Sequence, residues 1–445
     1  MTPTPYRIRP ATTCAFRVAT AIQGNPPRRG FNSSGLRLQS SSQPQNHLLL
    51  NQAPSTGKTK KYRKVVFSGI QPTGIPHLGN YLGAIQNWIE LQRSVDDSSS
   101  ASPSSDAPAK ILYSIVGLHA ITMPQDPKVL KRERREALAC LLACGVGPGG
   151  SLDPTRKRAT LFFQEEVPEH AELAWYFNTI TGVGKLQRMT TWKSKLAIAT
   201  EGSAQDSESL HKAEENLRLG LLAYPVLQAA DILLYKATHV PVGEDQQQHL
   251  ELSRDIAESF NHRFGQVFPL PQHMITPAKR VLSLTDPSQK MSKSAPNPAS
   301  RILVTDTPEQ IRKKIRGAVT DTDRSITFDP EERRGVANLL SILSACQDQR
   351  CTANNDTPFD TEEDVHPDVL AAQLTAQGIS GHAQLKSIVA EAVVEKLSPI
   401  RQEYVRLRED VSYLREVAAL GRDDARNAAA RTMEEVRRRV GLDSI

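Results

Sequence analysis

Two short segments far apart in the chain hold the residue types that phosphate chemistry needs: Pro72-Thr73-Gly74-Ile75-Pro76-His77-Leu78-Gly79-Asn80 and Lys290-Met291-Ser292-Lys293-Ser294. In the first, His77 and Asn80 are donors able to stabilise charge on a phosphate undergoing substitution. Gly79 has no side chain to keep that phosphate at a distance. In the second, the ammonium groups of Lys290 and Lys293 stand among hydroxyls on a loop that can follow a leaving pyrophosphate. Each segment alone is a weak signal, because Gly-rich turns and basic loops are common. Found together, in this order, they read as a split ATP site. The plainer alternative is that His77 packs, Asn80 caps a helix, and the lysines are solvated surface.

Elements of a particular kind must present these groups. The apolar run Val65-Val66-Phe67 precedes the first segment, and Leu82, Ile85 and Ile89 follow it at helical spacing, so the pattern predicts strand, tight turn, helix. A helix start offers unpaired N–H groups and a favourable dipole to an anion. Other nucleotide sites are excluded by spelling. Gly182-Val183-Gly184-Lys185 lacks a P-loop's preceding glycine, since position 179 is Thr179, and Leu186 stands where a hydroxyl should follow the lysine. No complete Gly-x-Gly-x-x-Gly follows a strand. Further apolar runs, Ile111 to Val116 and Leu161 to Phe163, alternate with helical stretches and imply a parallel α/β sheet. From about residue 300 the pattern turns helical. Thr307-Pro308-Glu309-Gln310 supplies an N-cap, a proline at the first helical position and a capping-box partner. It opens a helix bearing Arg312, Lys313, Lys314 and Arg316. Later helical stretches are expected at Val336 to Cys346, Ala383 to Asp410 and Asp423 to Val440.

Four further segments complete a pattern: Phe67-Ser68-Gly69-Ile70-Gln71, His119-Ala120-Ile121-Thr122, Tyr224-Pro225-Val226-Leu227-Gln228-Ala229-Ala230-Asp231-Ile232-Leu233 and Val240-Pro241-Val242-Gly243-Glu244-Asp245-Gln246. With the two phosphate motifs, they resemble the tryptophanyl-tRNA synthetase family of class I aminoacyl-tRNA synthetases, from about residue 62 onward. The resemblance implies a Rossmann-like parallel-sheet catalytic domain at 62–300 and a C-terminal all-helical domain at 301–445 that binds the tRNA anticodon; within the first, the low-complexity residues 94–110 read as a disordered insertion. The resemblance also implies that ATP and L-tryptophan form an adenylate, with Mg²⁺ carried on ATP oxygens and no protein metal ligand, and that tryptophan then passes to the 3′-terminal ribose of tRNA(Trp). A homodimer is expected.

Residue by residue, the resemblance implies the following. Gln71, Pro72, Thr73, Gly79 and Asn80 contact ATP, as do Gly243, Glu244 and Asp245, with Val281 beside the adenine. Lys290, Met291, Ser292, Lys293 and Ser294 form the mobile phosphate loop, and Lys195 is a further pyrophosphate contact. His77, Asn80, Lys290 and Lys293 carry the catalytic roles. Glu244 and Asp245 read equally as an N-cap before a helix from Gln246 to Phe260.

The amino-acid pocket follows from indole, which is apolar but for one N–H donor, so a selective site is an apolar slot with one buried acceptor. Asp231, inside a mainly apolar helix where an unpaired carboxylate is costly, fits that acceptor. A buried structural salt bridge is the alternative. The resemblance assigns walls to Phe67, Val240 and Val242, room for the ring to Gly69, and polar contacts to Tyr224, His119 and Gln246. Two positions depart from the family pattern. Gln228 stands where many bacterial relatives carry Met, and Ala295 stands where Asp usually follows the lysine loop.

Composition bounds the rest. The chain has 445 residues, 39% hydrophobic, with net charge +6, a globular balance with room for two domains and a tail. No Asp or Glu precedes Glu90, while Arg7, Arg9, Arg17, Arg28, Arg29 and Arg37 lie among Ser, Thr, Gln and Pro. Residues 1–61 therefore read as a mitochondrial transit peptide and disordered linker leading to the matrix, with an uncleaved nucleic-acid-binding extension as the alternative. The run Ala15 to Ile22 is too short to span a membrane. Polar insertions are expected at Ser94 to Lys110 and Glu201 to Glu208, and the acidic stretch Asp356 to Asp368 should avoid RNA. The five cysteines include no CxxC pair, and Cys140 and Cys144 read as helix core. A tyrosine-specific relative, a catalytically dead RNA-binding derivative and a small-molecule adenylating enzyme remain the rival functions.

Overall fold

The computed structural model describes residues 62–96, 110–148, 159–189, 218–241, 243, 246–274, 280–293, 295–347 and 365–444. Expectations placed on the N-terminal tail, on Glu201 to Glu208, on 97–109 and on most of Asp356 to Asp368 lie outside the described residues. So do Lys195, Val242, Glu244, Asp245 and Ser294.

Five parallel strands form one sheet in the order β3-β2-β1-β4-β5: β1 Val65–Ile70, β2 Lys110–Ile115, β3 Thr160–Phe163, β4 His239–Pro241 and β5 Gln272–Met274. Alternation along the strands sends successive side chains to opposite faces. Val66, Ile111, Tyr113, Ile115, Leu161 and Phe163 enter one apolar cluster. Phe67, Leu112 and Phe162 enter the other. The chain leaves β1 towards β2 on one side and returns to β4 on the other. The crevice at the carboxyl ends of β1 and β4 is thus the topological switch point, where ligands bind in open α/β sheets.

Helices α1 Gln86–Asp96 and α2 Pro127–Ala143 pack on the first face, with α6 Pro308–Arg316, α7 Arg334–Gln347, α8 Pro367–Ala376 and α9 His382–Glu409 continuing the same cluster. On the second face lie α3 Glu169–Ile180, α4 Leu219–Leu234 and α5 Gln247–Phe264. Apolar packing runs without a break across residue 300. The capping box at Thr307 forms as expected, with Thr307 accepting from the Gln310 N–H and Gln310 accepting from the Thr307 N–H. Cys140 and Cys144 are buried free thiols on α2 and its cap.

Three local expectations are corrected. The helix after β1 is interrupted: one turn at Leu78–Asn80, a π-helical turn at Tyr81–Ile85, and only then α1. Helix α1 also runs through Ser94–Asp96, and Lys110 opens β2, so the polar insertion gives up residues at both ends. The last helix, α10 Val411–Val440, starts well before Asp423.

Helix α10 returns to the sheet. Its Asp410 cap accepts from the Tyr413 N–H, and it ends at Gly441 in the left-handed conformation. Gly421, Ala425 and Ala429 are small residues at four-residue spacing, letting the helix approach edge strand β3. Asp424 pairs with Lys110 and accepts from the Thr160 hydroxyl, Arg437 makes a bidentate pair with Glu172, and Lys236 pairs with Glu435. A Cβ on Gly421 would fall 1.9 Å from the Leu161 carbonyl oxygen. Gly421→Ala should therefore destabilise the protein by about 1–3 kcal/mol, the usual overpacking cost. Gly182→Ala, at φ −72° with nothing within 4 Å of the added carbon, should cost far less. Thermal melts of the two variants check the contrast.

Candidate active site

The first phosphate segment leaves β1 at Ile70. Its turn at Leu78–Asn80 is held by reciprocal capping: His77 Nδ1 accepts from the Asn80 N–H at 3.2 Å, and Asn80 Oδ1 accepts from the His77 N–H at 3.2 Å. The plainer expectation is met with the roles exchanged: His77 is the N-cap, and Asn80 bonds back to it from the third helical position. With Nδ1 accepting, a neutral imidazole carries its proton on Nε2, free to donate. His77 is neutral. Burial, together with the charges of Lys293, Lys290 and Arg301, lowers its pKa from 6.5 to about 4. The expectation of an open helix start is corrected in part. The Leu78 N–H is taken by the Ile302 carbonyl at 2.7 Å, the Asn80 N–H by His77, and the helical turn is too short for much dipole.

The second segment is the returning limb of a hairpin. The Ser283 N–H donates to the Gln289 carbonyl at 2.9 Å, and the Met291 N–H to the Val281 carbonyl at 3.0 Å. Asn338 on α7 clamps the outgoing limb by accepting from the Leu282 N–H at 2.8 Å and donating to its carbonyl at 3.1 Å. The hairpin sets Val281 against the first segment: a Cβ on Gly79 would stand 3.4 Å from Val281 Cβ and 3.1 Å from His77 Cε1. Lys293 closes the junction, its ammonium donating to the Gly74 carbonyl at 3.2 Å across 219 residues. Burial lowers its pKa. Lys290 is exposed and Met291 buried. At the departing position Ala295, the backbone carbonyl accepts from the Arg301 guanidinium at 2.8 Å, so the loop is tethered through its main chain.

Asp231 lies 2% exposed on α4. Its Oδ2 accepts from His119 Nε2 at 2.8 Å, its Oδ1 from His170 Nδ1 at 2.7 Å, and Gln164 Nε2 reaches both oxygens at 2.7 and 2.9 Å. Burial pushes the carboxyl pKa up, but hydrogen bonds and charges from His119 and His170 outweigh it and lower it from 3.8 to about 2. His170 Nε2 meets the Tyr235 hydroxyl at 2.8 Å, and the Gln164 amide oxygen accepts from the Leu118 N–H at 3.0 Å. Gln164, His170 and Tyr235 were not foreseen. A polar residue directly after the apolar run Leu161 to Phe163 was the available signal for Gln164.

Phe67 stacks on Tyr235 at 5.7 Å, and Val240 is buried. Gly69 lies close under Val116, 3.1 Å from a built Cβ. Tyr224 stands edge-on to His119 and reaches His249 Nε2 at 3.3 Å, while Gln246 Oε1 accepts from His249 Nδ1 at 2.8 Å and from Gln228 at 3.4 Å. His249 was also not foreseen. Gln246, rather than the acidic pair before it, is the N-cap residue of α5. Gly243 is exposed, Gln71, Thr73 and Ser292 are partly so, and Pro72 is buried. The described candidates gather at the carboxyl ends of the strands, as a cationic phosphate corner and an anionic apolar slot. Such an arrangement suits the joining of a small amino acid's carboxylate to a nucleotide phosphate.

Comparison with known proteins gives the same answer. The family model described as tRNA synthetases class I (W and Y) matches residues 59–380. A tryptophan–tRNA ligase of Wolinella succinogenes is 40% identical over 381 residues, covering 85% of this chain and 99% of that protein. A mitochondrial tryptophan–tRNA ligase of Schizosaccharomyces pombe is 38% identical over 378 residues, covering 85% and 95%. The structure of the Campylobacter jejuni tryptophanyl-tRNA synthetase with ADP and tryptophan superposes with TM-score 0.64 at 28% identity, covering 85% of this chain and 100% of that one. This chain belongs to the class I aminoacyl-tRNA synthetases, in their tryptophan–tRNA ligase family.

Proposed function

We propose that the site works by positioning and charge, with Asp231 choosing the amino acid and the His77–Lys293 corner handling the phosphates. The observation that carries this is the buried, ionised Asp231 carboxylate, held by His119, His170 and Gln164 beside the apolar walls of Phe67 and Val240. An indole N–H meets an acceptor there, at the oxygen shared with His119, the most exposed of its donors at 7%. The tryptophan carboxylate attacks the α-phosphorus of ATP, and pyrophosphate leaves towards Lys290 and Lys293. Neutral His77 donates its Nε2–H to a phosphate oxygen without adding another buried cation. The adenylate then meets the 3′-terminal ribose of tRNA(Trp).

Mg²⁺ fits this corner only as a passenger on ATP. The groups around His77 are cations, and among the described residues no cluster of three or more His, Cys, Asp or Glu could hold a metal. When bound, it neutralises phosphate charge.

Exposed Arg415, Arg426, Arg431, Arg438 and Arg439 on α10, with basic residues on α6, support tRNA phosphate contacts at the C-terminal helices. Trp175, Val183 and Leu219, 70, 58 and 77% exposed on neighbouring helices, support a homodimer. The acid-free, Arg-rich residues 1–61 and the mitochondrial relative in fission yeast support import into the matrix. Among the described residues no helix is long and apolar enough to cross a membrane.

Amino-acid-dependent ATP–pyrophosphate exchange tests the whole scheme: tryptophan should drive it and tyrosine should not. Asp231→Asn should lower kcat/KM for tryptophan roughly 10–100-fold, matching one lost buried charged hydrogen bond, and an unchanged value would refute its role. His77, followed by NMR, should titrate near pH 4 rather than at 6.5. Lys293→Met should raise that value, with burial still holding it below 6.5. Because an unfolded chain takes up this proton first, the contribution to stability is present above 6.5 and is lost as pH falls towards 4. A reporter fused to residues 1–61 should enter mitochondria, and cytosolic fluorescence would count against the compartment.

A further inference from the structure

Beneath Asp231 lies a layer of polar groups for which phosphate chemistry has no use. His170 is 0% exposed, Gln164 is 0% exposed, and Tyr235 is 6% exposed. They are walled by Phe162, whose ring lies 5.9 Å from His170 and 5.6 Å from Tyr235, and by Phe67 stacked on Tyr235. Polar groups so deep are costly unless their bonds are complete. Here each is bonded: Gln164 and His170 to the carboxylate, and Tyr235 to the far side of His170.

The orientation of each group is fixed by its partners. The Gln164 amide oxygen must face the Leu118 N–H, which turns the amide nitrogen to Asp231. A carboxylate only accepts, so His170 donates from Nδ1. The Tyr235 hydroxyl at 2.8 Å from Nε2 then holds the ring at its far end. Three elements contribute: the turn after β3, the first turn of α3, and α4 with its C-cap.

From this geometry we infer that Gln164, His170 and Tyr235 are positioning residues that lock the Asp231 carboxylate from behind, so that its remaining acceptor direction selects a ring carrying an N–H donor. This rests on the assignment of Asp231 as the indole acceptor. A freely turning carboxylate accommodates a ring without the donor at little loss, whereas a fixed one leaves an unmatched acceptor against it. A site built to bond a substrate N–H rejects the analogue lacking it far more strongly than shape alone allows.

The test compares tryptophan with the isostere in which sulfur replaces the indole N–H, benzothienylalanine, in ATP–pyrophosphate exchange on the full chain. His170→Phe keeps the ring and removes the donor to Asp231, and it should lower the kcat/KM preference for tryptophan over the isostere at least tenfold. His170→Asn, whose side-chain amide can stand in for Nδ1–H, should restore much of it, which a merely space-filling role would not do. If His170→Phe does not fold, Tyr235→Phe, which removes a single oxygen, should lower the preference in the same direction. An unchanged preference in the folded variant overturns the inference while Asp231→Asn still abolishes it. If Asp231→Asn also keeps the preference, the indole assignment itself falls.

Discussion

A negative charge sealed inside an apolar helix constrains much of this molecule. Desolvating the Asp231 carboxylate is expensive, and the cost is offset only where donors arrive from every side. They come from the turn after β2, the turn after β3 and the first turn of α3, all far along the chain from Asp231 itself. Parallel strand order makes this possible, because it brings the carboxyl ends of β1, β2, β3 and β4 to one rim. The carboxylate therefore acts as a cross-link of the rim, and the specificity proposed for it draws on the same hydrogen bonds.

The phosphate corner obeys an opposite electrostatic logic. Cations gather at His77, and their repulsion adds to burial in keeping the imidazole neutral. The two motifs are joined chiefly through main-chain groups: Lys293 on the Gly74 carbonyl, Leu78 on the Ile302 carbonyl, Val304 on the Pro76 carbonyl. The last two, like the Ala295 carbonyl that receives Arg301, need no particular side chain at the main-chain position, whereas the first needs the Lys293 ammonium. That explains how Ala295 can stand beside the lysine loop while Arg301 holds the loop by its backbone.

How much of this was legible in the sequence follows from the range of each signal. The apolar run Ile111 to Val116 and the capping box at Thr307 are local patterns, and both gave the element expected. The joining of Val281 to Gly79 was legible only through resemblance, since nothing local connects them. Gln164 and His170 escaped notice because a buried polar residue and an exposed one are spelt alike, and only the fold reveals Asp231 between them. The π-helical turn at Tyr81–Ile85 was invisible because its apolar spacing fits an ordinary helix. The early start of α10 was missed although Leu414, Val417 and Ala425 stand at helical spacing, because Gly421 between them reads as a break.

The return of α10 to β3 also has a temporal side. Thr160 and Asp424, which hold helix and strand together, are 264 residues apart. Until that later segment of the chain arrives, the margin of β3 stays uncovered. During that interval a bare strand margin is a place where a second emerging chain can pair. Protection of that edge is thus left to a late part of the chain, well after the five strands themselves.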